Sequence, residues 1–291
     1  MPLVSVILPV FNAAEFIDEA IQSLCSQTFS DFELLIVNDG STDRTSELLR
    51  QWQQKDPRVN VFYQRNEGVV SSLNKLIGLA GGKYIARMDA DDICFPERLA
   101  IQLEYFKRDP ALGVLGSKVQ LNNAPQEYWH YRQTSEQTEA LLLLGNTPLC
   151  HPSIMVRREI YQNLLYRSDY PHLEDLDWFI RFLRRGTHSM YAASEILIKY
   201  RTHTGNISVK HRQLQQETRK ILLANLWRSY SLTFTEEDIN CFLGPLMADK
   251  GGFSVLQVNN SVRHMGMQLA QINPSTKEEL ARRHNLWLTR S

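Results

Sequence analysis

The chain has 291 residues, enough for one large domain, or one domain with an appendage, around a sizeable core. Hydrophobic residues make up 43% and charged residues 22%, an ordinary globular composition. Lys plus Arg equals Asp plus Glu, so bulk charge gives no argument for nucleic acid as a partner. The longest apolar run, Ala140–Gly145, is far below the roughly 18 residues that span a bilayer.

The opening MPLVSVILPVFN lacks a basic leader and a small-residue cleavage site, and reads as a strand over Val4–Val10. Asn12 and Glu15 then have the spacing of a capping box, ahead of Phe16, Ile17, Ala20, Ile21 and Leu24 at helical intervals. Phe32–Val37 is a second apolar strand, NDGSTD a turn, and Thr45–Gln54 a helix. Val59–Tyr63 is a third strand. A helix over Val69–Leu79 points Leu73, Leu76 and Ile77 inward and stops at Gly81–Gly82. Lys83–Met88 is a fourth strand, Pro96 opens a helix, and LGVLGSKVQL is a fifth strand.

Strands that are nearly all apolar, alternating with helices, imply an α/β fold with a parallel sheet covered on both faces. Ligands in such sheets bind beyond the carboxyl ends of the strands. Pro9–Asn12, Asn38–Asp39, Arg65–Asn66 and Asp89–Asp92 end four of the strands, so their polar groups converge on one edge.

Beyond Leu121 the alternation fades. Pro125–Tyr131 is an aromatic loop, Ser135–Leu144 a helix, and HPSIMVRREIY a strand followed by a helix. Asp175–Arg185 is a helix closed by Gly186, and Ser189–Tyr200 is strand-like. After RTHTGNIS, amphipathic helices follow, one carrying a stripe of Leu214, Ile221, Leu222 and Leu226, the last starting at Ser275 with Glu278. Cys25, Cys94, Cys150 and Cys241 are scattered without metal-ligand spacing, which reads as reduced, mostly buried thiols and a cytoplasmic setting.

Asp89, Asp91 and Asp92 crowd three carboxylates behind the fourth strand. Such a cluster raises the pKa of its members unless a cation pairs with it. Three oxygen-ligand side chains, with no nearby Cys or His as a ligand, select a hard ion, Mg²⁺ or Mn²⁺. Cys94 at the sixth loop position excludes an EF-hand, and there is neither a Walker A sequence nor GxGxxG. Solvated loop residues, or caps for the helix at Pro96, are the structural alternative, above all for Asp92.

VSVILPVFNAAEFIDEAIQSLCSQTFSDFELLIVNDGSTD, followed by GGKYIARMDADD, resembles the family 2 glycosyltransferases closely over residues 3–120. The likeness continues thinly through HPSIMVRRE, LEDLDWFIRFLRRG and YRTHTGNIS. It implies the GT-A fold over residues 1–209, with a nucleotide-sugar half at 1–120, an acceptor half at 121–209, and a helical extension at 210–291.

On this resemblance Pro9, Phe11 and Glu15 line the base and ribose end of a nucleoside diphosphate, with Asn66 on the same edge. Asp39 hydrogen-bonds uracil, unless it caps the helix after GSTD. Asp89 and Asp91 match the DxD motif: Asp91 ligates the metal, and Asp89 holds the ribose or a metal-bound water. Glu174–Asp175 matches the catalytic acid pair, with Asp175 the base, kept ionised by a helix start; an N-cap aspartate is the alternative. Asp177 is a solvated helix residue. His203 reaches the metal or the diphosphate, Arg201 pairs with phosphate, and His151 faces sugar or acceptor; a histidine with a structural role stays open for both histidines. Leu73 precedes Asn74 where many relatives carry a basic residue, and Arg87 supplies a charge toward the site instead.

The implied reaction is inverting transfer of a hexosyl group from a UDP-sugar to a hydroxyl on a glycan or lipid-linked glycan, as in bacterial polysaccharide biosynthesis at the inner face of the cell envelope. A sugar-nucleotide-forming nucleotidyltransferase would want a glycine-rich basic loop where PVFNAAEF stands. A non-catalytic nucleotide-sugar binding protein would lack Asp175. For the C-terminal helices, core packing, an acceptor pocket, peripheral membrane contact and a homodimer interface all remain open.

Overall fold

The computed structural model describes residues 1–280 apart from 123, 125, 127, 130, 132–133, 204–209 and 247–254. Much of the aromatic loop at 125–131, and residues 204–208 of RTHTGNIS, therefore lie outside the described residues.

The first part alternates as the apolar pattern predicts. It runs β1 (Val4–Val10), α1 (Ile17–Cys25), β2 (Phe32–Asp39), α2 (Thr45–Lys55), β3 (Val59–Gln64), α3 (Val69–Leu79) and β4 (Tyr84–Arg87). Then come β5 (Ile93–Cys94), α4 (Arg98–Arg108), β6 (Leu112–Leu121), β7 (Tyr128–Trp129) and α5 (Ser135–Leu143). A 3₁₀ turn at His151–Ser153 leads into β8 (Met155–Arg157), α6 (Arg158–Tyr161), α7 (Glu174–Leu183) and β9 (Ser189–Tyr200). The helices α8 (Arg212–Arg228), α9 (Glu236–Leu246) and α10 (Val255–Ile272) follow, and residues 275–280 are helical.

Among the described residues the strands form one sheet in the order β3-β2-β1-β4-β8-β6-β9-β5, with β7 on β6. The ladders of β1 with β2 and β4, β2 with β3, and β6 with β9 are parallel and long. The ladders made by β8, β5 and β7 are short and antiparallel. Reversal at β8 lets the chain extend the sheet from β4 toward β6 without another crossover helix.

Alternate residues of β1 and β2 feed two cores. Ile7, Leu35 and Val37 pack with α3, α5, α7 and α8. Val6, Leu8, Leu34 and Ile36 pack with α1, α2 and α4. Burial on both faces explains why the strands read as continuous apolar runs instead of alternating ones.

Two local expectations are corrected. Asn12 does not cap α1, which begins at Ile17 with Phe16 before it and no side-chain cap. Instead Asn12 sits at a left-handed φ of 49° and accepts from Thr42 N, while the Ala13 and Ala14 amides donate to Thr45 Oγ1 and Asp43 Oδ2. The NDGSTD turn thus satisfies amides that a capping box would otherwise serve. In α8, Leu222 and Leu226 are buried with Leu223 and Trp227, whereas Leu214 and Ile221 are exposed. Trp227 Nε1 donates to Leu143 O at 2.9 Å, so α8 is fixed to α5 as part of the same core.

All four cysteines are free, with Cys94, Cys150 and Cys241 buried. No helix among the described residues is long and apolar enough to cross a membrane.

Candidate active site

β4 ends at Arg87, and the chain turns at once through Asp89–Asp92 into β5. Arg87 is buried, and its guanidinium grips Asp89 at both oxygens, at 2.8 and 2.5 Å. Burial alone would loosen its proton. The Asp89 carboxylate beside it reverses that and holds Arg87 more firmly charged than usual. Asp91 Oδ2 lies 2.9 Å from His203 Nε2, and the His203 ring stacks on Phe16 at 4.8 Å. Asp92 is fully buried; its Oδ1 accepts from Arg201 N at 3.0 Å, and its Oδ2 is a buried oxygen without a hydrogen-bond partner.

Ligand oxygens of Asp89, Asp91 and Asp92 lie within 4.8 Å of one another. Burial pushes the Asp89 carboxyl up, with Arg87 pulling it down and Asp91 pushing it up again. Burial likewise raises Asp92, helped by Asp89 and Asp91. A cluster of hard oxygen donors with an orphaned buried oxygen and a neighbouring imidazole fits a divalent cation such as Mg²⁺ or Mn²⁺.

A second acidic group comes from the start of α7. Glu174 and Asp175 stand side by side there, and Asp175 Oδ1 accepts from Leu176 N at 2.8 Å. The helix start does not keep Asp175 as acidic as expected. Burial raises its carboxyl more than Leu176 N–H, Arg219 and Arg87 lower it. Glu174 is pushed up to about 7, by burial first and by Asp175 second. Asp89 and Asp175 sense each other, and Arg87 acts on both, so the two acidic groups belong to one electrostatic site. Asp177, expected in solvent, is buried and paired with Arg181 at 2.7 Å.

His151 is buried and within the influence of the Arg87 charge. Its Nε2 is 2.7 Å from Tyr166 Oη, and its ring lies edge-on to Phe179. Burial and the Arg87 charge hold it well below the usual histidine range, so it is neutral. Asn74, the residue flanked by the unexpected Leu73, exchanges two hydrogen bonds of 3.0 Å with the backbone of Tyr166. It positions the ring that meets His151.

Other expected contacts are placed differently. The Arg201 guanidinium pairs with Glu19 of α1 and lies over Phe16. Asp39 is buried, and its carboxylate accepts from Gln64 Nε2, Glu67 N and Gly68 N at 2.8–2.9 Å. It ties the end of β2 to the loop entering α3, not to the helix after GSTD. Pro9 is half-buried in β1, while Phe11, Glu15 and Asn66 are exposed in the loops after β1 and β3.

Two arginines escaped the sequence reading. Arg98 is fully buried and donates to Arg87 O at 2.6 Å, which pins the end of β4. Arg219 of α8 donates to Gly145 O, and its charge helps to lower the Asp175 carboxyl. Both lie on helices whose apolar pattern gave no sign of a charge turned inward.

A model of Glycosyl transferase family 2 matches residues 5–165. The chain belongs to that family. It is therefore a transferase of glycosyl groups. An uncharacterized glycosyltransferase of Haemophilus influenzae is 31% identical over 233 residues, 75% of this chain and 71% of its own length. TuaG of Bacillus subtilis, named for teichuronic acid biosynthesis, is 30% identical over 71% of this chain and 82% of its own. Among solved structures, Staphylococcus aureus TarS 1–349 in complex with UDP-GlcNAc gives a TM-score of 0.60 at 16% identity, covering 94% of this chain and 83% of that one. The mannosyltransferase PcManGT of Pyrobaculum calidifontis, in complex with GDP-Man and Mn²⁺, gives 0.58 at 16% identity, covering 99% and 87%. At that identity the likeness is one of fold, and the glycosyltransferase has the GT-A architecture.

Proposed function

We propose that the enzyme transfers a hexosyl group from a nucleotide sugar, a UDP-sugar in the first instance, to a hydroxyl of a glycan or lipid-linked glycan, with inversion. The observation that carries this reading is the Asp89–Asp92 cluster at the end of β4, with ligand oxygens within 4.8 Å of one another, and the Glu174–Asp175 pair near enough for the Arg87 charge to act on both groups.

Asp175 takes the proton of the acceptor hydroxyl as its oxygen attacks the anomeric carbon from the face opposite the diphosphate. A carboxyl raised by burial is a stronger base once ionised, which suits that task. Glu174 holds a proton more readily than an ordinary glutamate, so the pair does not carry two full charges. Asp91, Asp89 and His203 would hold a divalent ion, Mn²⁺ or Mg²⁺, and that ion supplies positive charge for the departing diphosphate. Pro9, Phe11, Glu15 and Asn66 line the nucleoside end, Asp39 holds the loop beside it, Arg201 steadies α1 through Glu19, and His151 supports the sugar side. TarS with UDP-GlcNAc and PcManGT with GDP-Man and Mn²⁺ support a nucleotide-sugar donor and a metal. TuaG's name supports an envelope polysaccharide as product. The division into a transferase domain at 1–209 and a helical extension at 210–291 belongs to the same reading.

The test is a panel of UDP-, GDP- and dTDP-sugars, scored for metal-dependent release of the nucleotide. Release from a UDP-sugar alone supports the full assignment. Release only from GDP- or dTDP-sugars overturns the uridine assignment, and release from none overturns the reaction.

A further inference from the structure

β7 has no part in the chemistry described so far, yet it brings one large ring beside the acidic cluster. It hangs on one edge of β6, with Trp129 opposite Val119, while Val119 faces Ile198 of β9 across the other edge. Tyr200 lies two residues on from Ile198 and so shares that face of the sheet. The Trp129 and Tyr200 rings meet there, with centroids 4.9 Å apart and planes tilted by 41°. Tyr200 is half-buried, whereas Trp129 keeps 39% of its surface exposed. Trp52, Trp178 and Trp227 are all buried, so the exposure of Trp129 sets it apart among the described tryptophans.

Tyr200 is tied to the acidic cluster through its own strand. Ile93 of β5 pairs with Lys199, which sets the Asp92 backbone beside Tyr200. The next residue, Arg201, donates its N–H to Asp92 Oδ1 at 3.0 Å, and two positions further His203 Nε2 lies 2.9 Å from Asp91 Oδ2. Asn122 fixes the same turn: its N–H donates to Tyr200 O, and its Oδ1 accepts from Thr202 N at 2.9 Å. Burial first, and the Asp89 charge second, push the Tyr200 phenol above its usual range. In the sheet, β1, β2 and β3 lie on one side of β4, and β6 and β9 on the other. The indole therefore approaches the cluster from the side away from the strand ends that would take the nucleoside. A pyranose has a face of C–H groups and a rim of hydroxyls. An aromatic face, negative at its centre, attracts the first while the second stay in water.

We propose that Trp129, backed by Tyr200, is a stacking platform for a sugar ring of the acceptor. This rests on the acceptor being a glycan, as proposed above. It gives β7 a ligand class: a saccharide that lays a C–H face on the indole and turns its hydroxyls toward the acidic cluster and solvent.

Trp129→Ala and Trp129→Phe test it, with the nucleotide sugar that turns over as donor and octyl β-glycosides of glucose, galactose and N-acetylglucosamine as acceptors. W129A is expected to raise the KM for the accepted glycoside by about 10- to 30-fold, with the KM for donor little changed, and W129F to recover most of that loss. A readout free of donor is tryptophan fluorescence. Titrating the same glycoside should shift the wild-type emission, and W129F should abolish the shift. An unmoved glycoside KM in W129A, or a shift that persists in W129F, overturns the proposal. A rise shared equally by donor and glycoside, with a lowered melting temperature and no recovery in W129F, also overturns it, as a purely structural role. Nucleotide release that no glycoside accelerates would overturn the glycan acceptor and the platform with it. Release from no donor at all would condemn the reaction itself, a failure distinct from these.

Discussion

The first 120 residues and the remainder build their shares of the site in opposite ways. In the first part, functional groups are the last residues of parallel strands, and sheet register carries them to one edge: Val10 pairs with Asn38, and Asp39 with Gln64. In the second part, the groups stand at a 3₁₀ turn, a helix start and a helix face, and long-range contacts bring them in. His151 meets Tyr166, Tyr166 is held by Asn74 from 92 positions away, and Gln215 of α8 holds His172 O in the loop before α7. A strand end is placed by the sheet as a whole, whereas the second group of residues depends on a few aromatic and polar contacts. The strand-end groups should therefore tolerate local damage that the second set does not.

Four experiments press on that contrast. The largest effect is expected from Asp91→Asn, which removes a charge from the proposed cation site while leaving β4 intact. Turnover should fall by roughly 10³-fold, about 4 kcal/mol of transition-state stabilisation, and Mn²⁺ binding by calorimetry should weaken, with the melting temperature little changed. Next comes Trp178→Ala in α7. Trp178 is fully buried, stacks with Phe182 and Tyr166, and donates to Leu164 O at 2.8 Å. Urea unfolding should show a loss of about 3–5 kcal/mol. Asp39→Ala should cost less, roughly 1–3 kcal/mol, because it strands the Glu67 and Gly68 amides while the strands around it stay paired. A loss as large as that of W178A would erase the contrast.

The smallest expected effect concerns pH. Glu174 is held near 7 in the fold against an ordinary 4.5, so between those values the folded state binds more protons than the unfolded chain. Stability from this group therefore falls as pH rises from 4.5 to 7, then levels off. Glu174→Gln removes that loss. Its melting temperature relative to wild type should climb over the same window, and parallel curves would show that Glu174 titrates normally.

Legibility follows the same division. Apolar runs in the first part fixed β1, β2, β3, α2 and α3 to within a residue or two, because strands buried on both faces leave no polar interruption. The capping box at Asn12 failed because side chains of the NDGSTD turn reached its amides first, a contact no local window contains. Ser189–Tyr200 was visible as a strand, but its parallel pairing with β6, with register shifts, was not. Asp177 and Arg219 were misjudged or missed for one reason: a charge on a helix reads as solvated until its partner, Arg181 or Gly145 O, is known. The acidic pairs were legible as motifs, yet the pairing of Arg87 with Asp89 could be seen only once the turn after β4 was in place.

Asp175 is proposed to accept a proton beside an acidic cluster that holds a cation. Nucleotide release and sugar transfer by Asp175→Asn, measured with manganese against the donor panel and alongside calorimetric binding of the released nucleotide, probe that directly. The expected result is transfer reduced by about 10²- to 10⁴-fold with nucleotide binding intact. Transfer at the wild-type rate would contradict it.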